Sequence, residues 1–208
     1  MHTKILVAVL ATAALALAAP ALASAATGTP APNLPAGVHP ACIANSNGEC
    51  EHATITLSGN LTTTGPLTMS CRNDMTITFY ADGTSDVTAW TGGQCAVAGF
   101  PGCVVHTTAT NLDWGDRLGY STSDDTFRDY INVDVDTTFT PGCPAPGTVT
   151  LSGIISPEIT IAGGRMHAAF AGASSGSLSS VFGSQTVTGT LTSTSGVSED
   201  TQLIPSLP

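Results

Sequence analysis

The sequence predicts an all-β fold, an antiparallel β-sandwich (or barrel) stapled by disulfides, and three observations carry that reading. From residue 42 to about residue 196, short Thr-, Val- and Ile-rich runs are broken by Gly, Pro, Asn and Asp, which is strand-and-turn composition. No segment sustains the 3.6-residue apolar period of a helix. Six cysteines, an even number, lie beyond an N-terminal stretch with the features of an export signal. With 208 residues, one domain is expected.

Taken in order, residues 1–25 read as a signal peptide. A basic start ends at Lys4, an apolar run succeeds it, and Ala23-Ser24-Ala25 supplies the small-x-small cleavage site. Residues 26–40 hold Pro30, Pro32, Pro35 and Pro40 and are expected to form an extended Pro-rich spacer. Residues 41–196 form the single β domain, and 197–208 are expected to be a flexible tail. Past the signal no apolar stretch approaches the roughly 20 residues of a membrane-spanning helix.

Within the domain, strands are expected over 53–57, 61–64, 67–71, 75–80, 84–91, 104–110, 129–140, 148–152, 158–161, 167–171, 178–182 and 186–192. The clearest is 129–140, where Ile131, Val133, Val135 and Phe139 share one parity and Asn132, Asp134 and Asp136 the other. That alternation buries one face and wets the other. Asp82-Gly83 marks a hairpin. If Ala81, Asp82 and Gly83 form a three-residue loop, Tyr80 faces Thr84, Phe79 faces Ser85, Ile77 faces Val87 and Met75 faces Ala89. A one-residue slip would set Phe79 against Asp86.

The same register sets Cys71 against Gly93, with Cys95 one pleat away, so a Cys71–Cys95 disulfide is geometrically reasonable. Cys42–Cys50 would then close a small loop over Asn45-Ser46-Asn47-Gly48 and leave Cys103–Cys143. The main competitor pairs Cys95 with Cys103. Behind an export signal, the six cysteines are expected to form three disulfides in an oxidising compartment, secreted (extracellular) or periplasmic. Zinc is disfavoured because no Cys-x-x-Cys pair or suitably offset His accompanies these cysteines.

Charge excludes several classes of function. Fifteen acids face five cations, Lys4, Arg72, Arg117, Arg128 and Arg165, for a net charge of -10. An acidic chain cannot neutralise phosphates, so nucleic acid is not an expected partner. Lys4, the only lysine, lies inside the signal, so lysine-based covalent chemistry is excluded from the mature chain.

Catalytic constellations are weak. Gly172-Ala173-Ser174-Ser175-Gly176 matches Gly-x-Ser-x-Gly, but an α/β-hydrolase places its histidine after the serine and the last one here is His167. His39, His52, His106 and His167 form no ligand-spaced pair. No cofactor is expected except calcium, with Asp113, Asp116, Asp124 and Asp125 as loop-borne oxygen ligands. The bland alternative for these acids is a solvated face. Trp90 and Trp114 are expected to anchor the core rather than form a binding platform.

The segment Gly65-Pro66-Leu67-Thr68-Met69-Ser70-Cys71, the alternating hairpin after it, Cys95, and then Leu112-Asp113-Trp114-Gly115 resemble small secreted bacterial β-proteins of the alkane-oxidation protein activator type. The resemblance implies an exported, non-enzymatic, surface- or biofilm-associated protein and supplies no catalytic residues. The leading expectation is therefore a non-enzymatic structural or interaction module at the cell surface or in the extracellular matrix. Its Thr-rich strands, such as 186–195, would self-associate by adding to another sheet edge. The alternative is a small-ligand carrier or protein inhibitor that binds in a cleft, which an apolar pocket lined by the aromatics would support.

Overall fold

The computed structural model describes residues 29–143 and 147–206; residues 1–25, read above as a signal peptide, lie outside them. Thirteen strands form: β1 (Val38–Ala44), β2 (Ala53–Thr64), β3 (Met69–Phe79), β4 (Thr84–Val97), β5 (Val104–Ala109), β6 (Trp114–Ser121), β7 (Thr126–Phe139), β8 (Gly147–Ile155), β9 (Glu158–Ala162), β10 (Arg165–Ala171), β11 (Ser177–Ser180), β12 (Gly183–Ser195) and β13 (Gln202–Pro205). Every pairing between strands is antiparallel.

The sheet closes on itself, so of the two expected architectures the barrel is the one formed. The long strands β2, β3, β4, β7 and β12 run the full height. The other three places in the wall are each shared by two short strands: β5 and β6 between β4 and β7, β8 and β9 beside β7, and β10 and β11 against β12. β12 pairs with β2 and completes an eight-place, up-and-down ring. Closure covers both edges of β12 over most of its length, with β2 on one side and β10 and β11 on the other as far as Thr192. Edge addition through the paired part of this strand, 183–192, would require it to leave its neighbours in the barrel.

Alternation fixes what points inward. On β7, Asp129, Ile131, Val133, Val135, Thr137 and Phe139 are buried, while Asn132, Asp134 and Asp136 between them are half-buried. The β3–β4 hairpin has the expected tip, with Tyr80 N–H donating to Thr84 O and Gly83 at φ 83°. Phe79 faces Ser85 and Ile77 faces Val87. Two register shifts lie beyond them, so Met75 meets Trp90 rather than Ala89, and Cys71 meets Cys95 rather than Gly93. Each shift places one extra residue on β4. The first reverses the facing of the later β4 residues and turns Trp90 into the barrel, where unbroken alternation would put Ala89.

The disulfides are Cys42–Cys50, Cys71–Cys95 and Cys103–Cys143, the pairing the register argument preferred over Cys95–Cys103. Cys71–Cys95 bridges β3 and β4 directly. Cys103–Cys143 joins the β4–β5 loop to the end of β7.

The described parts of both segments expected to be loose, 29–40 and 197–206, lie against the barrel. β1 pairs with β6 through Val38–Pro40 and then with β13 through Ala41–Ala44. Residues Ala41, Cys42, Ile43 and Ala44 are buried on both faces, and β13 lies against β6 and β9. This two-stranded ribbon caps the barrel end where the β3–β4 and β6–β7 turns lie. The Pro-rich segment crosses β6: Gly115 N–H donates to Thr29 O at 2.8 Å, and Asn132 Nδ2 to Pro30 O at 2.6 Å. A Cβ on Gly115 would collide with Thr29 O and Ala31 N, so the close approach requires glycine. Burial of the apolar positions of β1 supplies the drive that proline content alone does not reveal.

Candidate functional site

The barrel interior contains a cavity of about 70 Å³, several times the roughly 10–15 Å³ that one water requires. Its wall is apolar, with Met75, Trp90, Trp114, Val133, Phe170 and Leu191 among its residues. Eight strands enclose an interior just wide enough either to be filled by side chains or to hold one small ligand. Here the filling is incomplete at mid-height.

Both tryptophans of the chain line this cavity. Their rings lie 6.1 Å apart at 43°, within the range of a favourable tilted aromatic pair. Trp114 Nε1 donates to Thr110 O at 2.7 Å, which satisfies its polar edge and leaves the ring free to line the void. The expectation of core anchoring holds for Trp114, 1% exposed; Trp90 is half-buried and forms part of the wall. Space for the two rings depends on Gly92, because a Cβ there would strike Thr107 Oγ1 and the Trp90 ring.

Few polar atoms meet this surface. Asn73, 3% exposed, lines the cavity and donates from Nδ2 to Cys71 O at 3.0 Å. Thr63 and Thr107 also line it, and their hydroxyls are buried without a hydrogen-bond partner among the described residues. Buried hydroxyls are normally paired. These two are therefore available to a bound polar atom.

Nearer the capped end, Ser85, Asp116 and Asp129 face inward from β4, β6 and β7. Ser85 lies directly opposite Asp116 in the β4–β6 pairing. Both carboxyls are 0% exposed, and neither they nor the Ser85 hydroxyl find a hydrogen-bond partner among the described residues. Arg117, next along β6, points to the opposite face and cannot neutralise Asp116. Burial pushes the Asp129 carboxyl up to about 7. Burial first, and then the nearby Asp129 charge, raises Asp116 well above the ordinary carboxylate range, only partly offset by the facing Ser85 hydroxyl. Two like charges without a counter-ion are resolved by retained protons.

The four aspartates expected as loop-borne calcium ligands are not brought together among the described residues. The Gly- and Asp-containing stretch after residue 113 is strand β6, which sends Asp116 into the barrel, away from Asp113 and from the adjacent Asp124 and Asp125 in the β6–β7 turn. Asp113 precedes the strand at φ 66°. Asp124 accepts from Thr126 Oγ1 and pairs with Arg128 at 3.6 Å, while Asp125 accepts from Tyr120 OH. Among the described residues no group of three His, Cys, Asp or Glu is placed to hold a metal ion. The Gly-x-Ser-x-Gly stretch is a short 3₁₀ turn, Gly172–Ser175. Its Ser174 Oγ donates to Ala171 O, and its Ser175 Oγ accepts from Ala171 N–H, so both hydroxyls serve the turn. His167 Nδ1 lies 3.1 Å from Thr192 Oγ1 on the neighbouring strand.

The fold and site define a class: a closed, disulfide-linked, up-and-down barrel with an apolar internal cavity. No protein-family model, curated protein or solved structure matches the chain.

Proposed function

We propose that this protein is an extracytoplasmic binding protein that carries one small, largely apolar molecule inside its barrel. The apolar cavity lined by both tryptophans is the observation that carries this reading, since enclosed apolar pockets with a few polar groups are the usual form of small-molecule sites. The unpartnered Thr63 and Thr107 hydroxyls, with Asn73 beside them, favour a ligand with one hydrogen-bonding group on a hydrocarbon or aromatic body. Three disulfides fit a role outside the reducing cytoplasm, in keeping with export. The reading is non-enzymatic and retains the interaction-module expectation in a specific form. Sheet-edge assembly through β12 is not part of it.

The test uses the intrinsic fluorophores. Because the only two tryptophans line the cavity, a small aromatic alcohol titrated into the protein is expected to change their emission saturably, with one site per chain. Thr107→Val is expected to weaken that alcohol about 3- to 10-fold, the worth of one hydrogen bond, and to leave the matching hydrocarbon nearly unaffected. Val133→Phe, which fills the void, is expected to abolish both. No saturable response to any small apolar compound, or equal weakening of alcohol and hydrocarbon by Thr107→Val, would reject the assignment.

A further inference from the structure

The two ends of the barrel differ in chemistry. At the capped end the turns carry Asp82, Asp124, Asp125, Glu199 and Asp200. At the other end lie the β2–β3 connection (65–68), the β4–β5 connection (98–103), the start of the β7–β8 connection (140–143) and the β11–β12 turn (181–182). Their sequences are Gly-Pro-Leu-Thr, Ala-Gly-Phe-Pro-Gly-Cys, Thr-Pro-Gly-Cys and Val-Phe, without one charged residue. In a chain of net charge -10, a whole rim free of charge separates this end from the rest of the surface. Three of the five exposed large apolar side chains among the described residues stand there: Phe100 at 41% exposed, Val181 at 86% and Phe182 at 42%. The Cys103–Cys143 disulfide ties two of the four connections together.

This end also lies over the cavity. Leu67 and Phe182 border a small void of about 10 Å³, closed below by Phe139 and Gln185. Met69 and Leu151 line both this void and the main cavity. The side chains that separate the uncharged rim from the cavity are therefore chiefly apolar, and Met69 and Leu151 would have to move aside to admit a ligand.

We infer that the uncharged rim seats the barrel mouth on a neutral lipid surface, from which the apolar ligand passes into the cavity. Charge decides the occupant. A rim without charge buries Phe100, Val181 and Phe182 in the headgroup and acyl boundary without desolvating an ion. The acidic capped end faces away, and the net negative charge disfavours anionic lipid. The route inward rests on the carrier reading; the lipid contact itself does not.

The test is flotation of the exported protein with vesicles of pure phosphatidylcholine. Binding is expected, and it is expected to persist in about 0.5 M salt, where surface electrostatics is screened, and to weaken when phosphatidylserine is added. Phe100→Ser combined with Val181→Ser is expected to reduce vesicle binding at least about tenfold, while ligand uptake from aqueous solution and the circular dichroism spectrum stay unchanged. Each of three results would overturn the lipid contact: no flotation with phosphatidylcholine, flotation that requires anionic lipid, or a rim variant that floats like the unaltered protein. Concentration-dependent dimerisation in sedimentation velocity that the rim variant abolishes would assign the rim to a second copy of the chain and equally overturn it. Uptake without flotation would leave the carrier reading standing and remove this one; flotation without uptake would do the reverse.

Discussion

Raising the pH from about 5 to about 8 is expected to weaken the fold, the reverse of the behaviour of a protein held by surface carboxylate pairs. The cause is the interior pair Asp116 and Asp129. In the unfolded chain each titrates near the ordinary value of 3.8, whereas in the barrel Asp129 titrates at about 7 and Asp116 is raised well above that ordinary value. Below the unfolded value both states hold their protons and no penalty applies. As the pH rises, the unfolded chain releases protons that the folded chain must retain, and stability falls until the folded groups ionise. One retained proton corresponds to about 1.4 kcal/mol per pH unit, so the loss between pH 4 and 7 is on the order of 3–4 kcal/mol. Asp82 and Asp124 are shifted the other way, lowered chiefly by hydrogen bonds from Thr84 and Ser121 respectively. Both are exposed, so their opposing contribution, lost as pH falls below about 4, is small. Urea midpoints across this range measure the effect directly. Asp129→Asn removes one of the two charges with little change in shape and is expected to raise stability at pH 8 by on the order of 2 kcal/mol and to flatten the profile. A wild-type midpoint that climbs from pH 5 to 8, or a variant with the unaltered slope, would show that the pair is neutralised in some other way.

That pair also shows where the sequence stops being legible. Local composition puts Asp116 in an acidic loop because Trp-Gly-Asp-Arg-Leu-Gly-Tyr-Ser contains two glycines and an aspartate, residues that individually disfavour strands. The glycines are there for the neighbours. Gly115 admits the Thr29–Ala31 backbone, and Gly119 admits Val38 and Leu34, and neither contact leaves a trace in local periodicity. β1 and β13 escape a periodicity reading for a related reason: their burial comes from each other and from the barrel end, not from an alternating pattern of their own. β7 is legible because one of its faces meets the core and the other meets water along most of its length. The cavity is legible only in part. The tryptophans stand out as large aromatics, but Trp90 reaches the interior through a bulge that no pairwise matching of apolar residues announces. Closure is equally hidden, since the β12–β2 pairing joins residues more than 120 positions apart, as in the Thr188–Thr62 contact, with a separation of 126.

Reduction of the disulfides is expected to be the most damaging single treatment of the folded protein. Cys71–Cys95 and Cys103–Cys143 close segments with sequence separations of 24 and 40, and Cys42–Cys50 one of 8. Constraint of the unfolded chain grows with loop length, giving about 3.5, 4 and 2.5 kcal/mol for the three in that order. Domains of this kind have only about 5–15 kcal/mol in total. Loss of either longer bridge is therefore expected to lower the melting temperature by about 10 °C, and loss of all three to leave little folded barrel at 37 °C. The double variants Cys71→Ala with Cys95→Ala, Cys103→Ala with Cys143→Ala, and Cys42→Ala with Cys50→Ala, compared by thermal melts without reductant, separate the contributions. The shortest loop is expected to matter least. Cys71 and Cys95 lie within the main core and Cys71 borders the cavity, so their replacement adds a packing loss and is expected to weaken apolar ligands as well. Cys103–Cys143 ties the uncharged rim, and its loss is expected to reduce vesicle binding more than cavity binding. A barrel that melts at the same temperature with and without reductant would mean that the sheet closure alone holds the fold. The oxidising compartment would then be unnecessary for its stability.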